Sequence, residues 1–179
     1  MDAVLDAVER VLKREGVSAI TTNRIAEAAG VSIGSVYQYF PDKQSIFAAL
    51  HQRHVEQVGQ VIERTVAEHA ASSLEDFTCA LVAGLMDAHA IDPELHAIIS
   101  DAVPESSQGF RRALAATFER VQVDSSPRSE RLLFVLPHLV EALVHGGVTQ
   151  GSPLSLDSAK QEAVRAVRAY VSAVRDEVL

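Results

Sequence analysis

Apolar side chains recur along the chain at helical spacing. Val4, Leu5, Val8, Val11 and Leu12 form one stripe that stops at Gly16. Ile25, Ala26 and Ala29 form a shorter one, preceded by two candidate N-caps, Thr21 and Thr22, and ended by Gly30. Ser32 is placed to cap a third short segment carrying Val36, Tyr37 and Phe40. After Pro41, Asp42 opens a long helix through Ile46, Phe47, Leu50, Val58, Val61 and Ile62, expected over about 42–69.

The same grammar continues downstream. Ser72 and Glu75 stand at capping-box spacing ahead of Phe77, Leu81 and Leu85. Asp92-Pro93-Glu94 reads as a helix start, with a cap, a proline at the first position and an acid in the first turn. A break from Pro104 to Gly109 precedes a helix over Phe110 to Val121. Ser126-Pro127 starts a long helix ending near Gly146-Gly147, and Pro137 inside it is expected to kink or break it. After a turn at Gly151-Ser152-Pro153, the last helix carries Val164, Val167, Val171, Val174 and Val178. No sustained alternation predicts a strand, so the chain reads as all-α, with about nine helices.

Composition agrees with a packed protein: 47% of the 179 residues are apolar and 22% are charged. The single cysteine, Cys79, excludes an internal disulfide and a cysteine-based zinc site. No apolar run approaches the length of a membrane helix and no secretory leader is evident, so a cytoplasmic protein with no membrane partner is expected. The net charge of −8 is unevenly placed. Residues 1–55 hold six basic and six acidic side chains, so the whole excess lies beyond them. Such a balance argues against a protein that coats nucleic acid and leaves room for a local DNA-reading module.

That module is sought in residues 21–50. Two short helices meet at Ala29-Gly30-Val31-Ser32, a bend tight enough for a helix-turn-helix. Neither helix is long enough to persist alone, so Ile25, Ala26, Ala29, Val31 and Val36 are expected to dock them on each other and on the first helix. The outward residues of the second helix are polar or small: Ser32, Ile33, Gly34, Ser35 and Gln38. This suits a helix entering the major groove by its N-terminal end. Tyr37, Tyr39 and Lys43 follow as natural phosphate partners, and the start of the next helix offers backbone N–H groups to an anion.

Over these residues the chain resembles the TetR/AcrR family of bacterial transcription regulators. The matching positions are Thr22, Ile25, Ala26, Ala29, Gly30, Val31, Ser32, Gly34, Tyr37, Tyr39, Phe40, Lys43, Ile46 and Phe47, at the family's spacing and without a gap. The resemblance covers about the first 50 residues. It implies a DNA-binding domain over 1–45 and an effector-binding and dimerisation domain over 46–179, bridged by the helix from Asp42. It implies a homodimer on a palindromic operator, released by a small molecule. By position, Ser32, Ile33, Gly34, Ser35 and Gln38 would face bases or adjacent backbone, and Thr22, Tyr37, Tyr39 and Lys43 would hold phosphates. Ile33 cannot hydrogen-bond a base and suits a thymine methyl group. Many members of that family carry a polar, often basic arm before the first helix, and this sequence begins almost on that helix.

The C-terminal helices carry two further patterns. Leu132, Leu136, Leu139 and Leu143 make one stripe, widened by Leu133, Val140 and Val144. That breadth needs more than one partner surface. With Val164, Val167, Val171 and Val174, the residues Leu136, Leu139 and Leu143 are candidates for a four-helix dimer interface. The alternative is a purely intramolecular core. A pocket for a largely apolar effector is expected from Phe77, Leu81, Leu85, Met86, His89, Val103, Phe110, Phe118, Phe134, Pro137, His138 and Glu141. His138, Glu141 and His145 share one helical face, as effector contacts or as interface groups, and do not complete a metal site.

An enzyme is not expected. The chain lacks Glu-x-x-His pairs, HExxH, a phosphate loop and GxGxxG. Its Gly30-Val31-Ser32-Ile33-Gly34 string, though it spells GxSxG, falls in the bend between two short helices and not at a strand-to-helix elbow, so neither cofactor nor catalytic residue is assigned. The alternative to a ligand-responsive repressor is a helical adaptor that keeps the fold without specific DNA binding.

Overall fold

The computed structural model describes residues 1–69, 71–90, 106–121, 126–148 and 152–176. Among them the chain is all-α: eight α-helices, one 3-10 turn and no strand. The helices are α1 (Asp2–Glu15), α2 (Thr22–Ala29), α3 (Ile33–Tyr39), α4 (Lys43–Glu68), α5 (Leu74–Ala90), α6 (Ser106–Val121), α7 (Pro127–Val148) and α8 (Leu156–Asp176). The ninth helix expected from Asp92 lies outside the described residues.

Chain punctuation follows the expected chemistry with local shifts. Gly16 ends α1 at φ 78°, donating its N–H to the Leu12 carbonyl. Thr21, not Thr22, caps α2: its hydroxyl accepts the Arg24 N–H at 3.3 Å, and Thr22 becomes the first helical residue. The α5 cap falls one residue later than predicted. Ser73 accepts the Asp76 N–H at 3.1 Å and donates to the Asp76 carboxylate at 2.8 Å, in place of the Ser72–Glu75 pair. Glu75 is thereby freed for α8, where it accepts from Arg168, Ser172 and Arg175. Ser126 and Ser155 cap α7 and α8 through the N–H groups of Ser129 and Ser158.

The chain forms two compact units. One takes in Met1–Glu56; the other holds the described residues from 57 onward. Within the first unit Arg53 on α4 is hydrogen-bonded to Asp6, Glu9 and the Asp2 carbonyl on α1. Its core is built on Leu5, Val8, Ile25, Val36 and Leu50. The second unit packs α8 against α5 and α7, and α7 against α5 and α6. Phe77 and Phe118 meet edge-to-face at its centre, with ring centroids 6.1 Å apart.

Pro137 neither ends nor interrupts α7, which runs through it from Pro127 to Val148. Its ring is buried, and that burial offsets the backbone bond a proline cannot make. By length and composition α7 is apolar enough to cross a membrane, contrary to the expectation from the sequence. Here its Leu132, Leu136, Val140 and Val144 row is packed in the second unit's core.

Candidate functional site

The first unit contains a helix-turn-helix whose geometry comes from its bend. Gly30 sits in the left-handed region at φ 67°, where a side chain is strained. Its N–H and that of Val31 turn back to carbonyls of α2. The chain then leaves in an extended conformation at Ser32, which caps α3 by accepting the Ser35 N–H at 3.0 Å. Val36 is fully buried and anchors α3 against Ile25 and Ala26 of α2.

That single anchor orients the rest of α3. Ser32, Ile33, Gly34, Tyr37, Gln38 and Tyr39 are all exposed, and Ser35 is half-buried. Tyr37 and Tyr39 are each more than half exposed, which sets aside a packing role within the chain for either ring. Thr22 is half-buried at the start of α2 and Lys43 is exposed at the start of α4.

The charges of this unit are largely spoken for. Arg24 is held between Glu15 and Glu27, and Glu15 is pushed below the usual carboxylate range by its hydrogen bond to Arg24. Arg10 donates to the Ala28 carbonyl at 3.1 Å, and Arg53 is engaged with α1. Lys43 Nζ donates to the Val17 carbonyl at 2.8 Å and lies 5.5 Å from the Phe47 ring centre. The N–H groups at the start of α4 are not simply open to an anion. Asp42 Oδ1 takes the Ser45 N–H at 2.7 Å, and Ser45 Oγ takes the Asp42 N–H at 3.3 Å. A carboxylate already occupies the position where a phosphate would gain most.

The second unit divides the expected pocket residues into three groups. Phe77, Leu81, Leu85, Met86, Phe118 and Pro137 are buried in its core. Phe118 borders a void of about 10 Å³ with Leu74, Ser129, Leu132, Leu133 and Leu136, room for one water at most. Phe134 and His138 instead lie on the outside of α7. Phe134 is 71% exposed, its ring centre is 5.2 Å from that of His138, and His138 Nδ1 donates to the Phe134 carbonyl. Val103 lies outside the described residues. None of the expected residues borders the open groove of about 250 Å³ formed by Gly59, Ile62 and Glu63 of α4 with Ala113, Ala116, Thr117 and Arg120 of α6.

The remaining three, His89, Phe110 and Glu141, converge. The rings of His89, Phe110 and His145 stand mutually 5.3–5.7 Å apart. Glu141 accepts from Arg111 at 3.0 Å with one oxygen and lies 3.6 Å from His145 Nδ1 with the other. His89 is fully buried and donates through Nδ1 to the Leu85 carbonyl at 2.8 Å. Burial holds His145 below the ordinary imidazole value, and the neighbouring Glu141 carboxylate opposes that only in part. Arg111 is the member sequence reasoning missed, since nothing in its own helix marks it as the partner of a glutamate thirty residues on. Among the described residues no group of three or more metal-ligating side chains is assembled.

The expected dimer contacts are also split. Leu136, Val167, Val171 and Val174 are buried within the chain's own core, while Leu139, Leu143 and Val164 are half-buried.

Comparison with known proteins matches both units. The model of bacterial regulatory proteins of the tetR family matches residues 4–50, and that of the tetracyclin repressor-like C-terminal domain matches residues 73–170. The chain belongs to the TetR family of bacterial regulatory proteins. An uncharacterized HTH-type transcriptional regulator, YvkB of Bacillus subtilis, is 35% identical over 78 residues, covering 44% of this chain and 41% of that protein. Thus the match spans well under half of that relative's length. A TetR-family transcriptional regulator from Streptomyces coelicolor shares the fold at a TM-score of 0.69 and 21% identity, covering 97% of this chain and 98% of that one. FadR from Bacillus subtilis, solved in complex with stearoyl-CoA, superposes at a TM-score of 0.65 and 17% identity, covering 94% and 97%.

Proposed function

We propose that the chain is a ligand-responsive transcriptional regulator, acting as a homodimeric repressor on a palindromic DNA operator. The observation that carries this reading is the sidedness of α3: Val36 is fully buried while Ile33, Tyr37, Gln38 and Tyr39 are exposed together. Ser32, Ile33, Gly34, Ser35 and Gln38 face the bases. Thr22, Tyr37, Tyr39 and Lys43 hold phosphates and set the register of α3 in the groove.

Two protomers meet through the outer faces of α7 and α8. Phe134 and His138 are exposed on α7, and Leu139 and Leu143 of α7 and Val164 of α8 are half-buried, so these side chains remain available to a second copy. The effector is a largely apolar small molecule that enters beside His89, Phe110 and Glu141, where a few polar groups can orient it. The fatty acyl thioester seen with FadR is a sensible first ligand to try. Release is a population shift: a ligand that prefers one spacing of the two α3 helices lowers operator affinity by its differential affinity for the two states.

The test is DNA binding by the purified chain at several salt concentrations, with the segment flanking its own coding region against a scrambled duplex. Preferential binding that survives competitor supports the reading. Tyr37→Phe, which removes only a hydroxyl, is expected to weaken both duplexes by about 2- to 10-fold, the worth of one hydrogen bond. Equal, weak and salt-labile binding to every duplex would favour the adaptor reading.

A further inference from the structure

The first turn of α3 is unusual for a surface that meets polar base edges. Ile33 is its first residue, 46% exposed and unused by the core, which takes only Val36 from this helix. Gly34 follows with no side chain. The two serines around them are largely engaged with each other. Ser32 Oγ accepts the Ser35 N–H at 3.0 Å, and the two hydroxyls lie 2.8 Å apart, so one O–H is used on its neighbour and a single one remains. What this turn presents outward is therefore an aliphatic side chain beside a bare Cα.

We infer that Ile33 is a specificity-determining residue that selects thymine through its 5-methyl group. The inference rests on the DNA-binding reading above and deepens it. Among the groups displayed in the major groove, the thymine methyl is the apolar one; every other distinguishing feature is a hydrogen-bond donor or acceptor that isoleucine cannot satisfy. Placed over a guanine or cytosine edge, Ile33 would strip water from polar atoms and return nothing. Placed against a thymine methyl, it buries apolar surface on both partners. Gly34 allows the approach, because no β-carbon stands between the helix backbone and the base edge beside it. Neither feature is required by the chain itself. Gly34 has no left-handed backbone, and a methyl there would meet only Ser32 Oγ, at an ordinary 3.7 Å.

The experiment begins with selection of bound duplexes from a random pool by the full chain. In the best duplex each thymine is then replaced in turn by deoxyuridine, which removes the methyl and leaves pairing intact. At one thymine of each half-site the replacement is expected to weaken binding roughly fourfold, the worth of one buried methyl-sized group. Ile33→Ala is expected to bind the thymine and uracil duplexes equally, and Ile33→Val to keep part of the difference. Ile33 is outside the core, so a melting curve unchanged by either substitution certifies the comparison. The inference is overturned if every thymine can be replaced without loss, or if the loss persists undiminished in Ile33→Ala. A pool that enriches no duplex overturns the DNA-binding reading itself, and this inference with it.

Discussion

Lys43 Nζ donates to the carbonyl oxygen of Val17 at 2.8 Å, tying the start of α4 to the 3-10 turn after α1. The ammonium keeps two further N–H donors and is exposed, so a phosphate oxygen can be added without breaking the tie. Lys43→Ala is expected to weaken binding to all duplexes alike. It should also flatten the dependence of log K on log salt by about 0.9 for each phosphate contact removed. Fluorescence anisotropy over a salt series reads both effects, and an unchanged slope removes Lys43 from the phosphate set.

Gly34 costs the folded chain something. A glycine inside a helix is less stable than alanine by roughly 0.5–1 kcal/mol, and nothing in the chain crowds a methyl there. Gly34→Ala is therefore expected to raise the urea midpoint while lowering affinity for the selected duplex. Should both stability and affinity rise, close approach at this position plays no part in binding.

Two phenylalanines separate core from surface. Phe77 is wholly buried against Phe118, and Phe77→Ala is expected to cost about 3–5 kcal/mol in equilibrium unfolding. Phe134 is 71% exposed, and Phe134→Ala should leave the unfolding of dilute protein nearly unchanged while weakening self-association in sedimentation equilibrium. Undiminished association would move the dimer interface away from this part of α7.

The imidazole of His145 is held below its ordinary value of 6.5 by burial between α5, α6 and α7. Below that value the unfolded chain takes up a proton that the folded chain resists. The stability is thus present above about pH 6.5 and is lost as the pH falls toward the folded-state value. Burial acts on His51 in the same direction. Urea midpoints are expected to fall from about pH 7.5 to about pH 5.5, and less so in His145→Gln. An identical fall in that variant would assign the effect to other groups.

The helices themselves were legible because each is punctuated by side-chain chemistry with a short range: Gly16, Thr21, Gly30, Ser32, Asp42 and Ser126 each act on a backbone group a few residues away. The spacing rule placed the α5 cap at Ser72 with Glu75, one residue early, because Ser73 with Asp76 satisfies the same pattern and is the pair that forms. The outward side of α3 was also legible, since one buried residue, Val36, fixes the orientation of a seven-residue helix. The second unit was harder. A valine every third or fourth position is what both an internal core and a dimer seam require, and only packing assigned Val167, Val171 and Val174 to the former. Phe134 and His138 share a helical face with Glu141 and His145 but lie nearer the start of α7, where they stay exposed, while Glu141 meets Arg111 of α6; spacing along one helix does not show where a neighbour covers it. The meeting of Arg111 with Glu141 depends on how α6 lies on α7, which no local spacing encodes.

Two of the four arginines in the first unit, Arg24 and Arg53, are paired with the unit's own carboxylates. A DNA reader built this way pulls only weakly on the phosphate backbone of unrelated sequence. It would spend little time sliding on the bulk of a chromosome, and its occupancy of a promoter would depend on fit rather than on charge. Few copies would then be needed per cell, since few would be idle on competing sites.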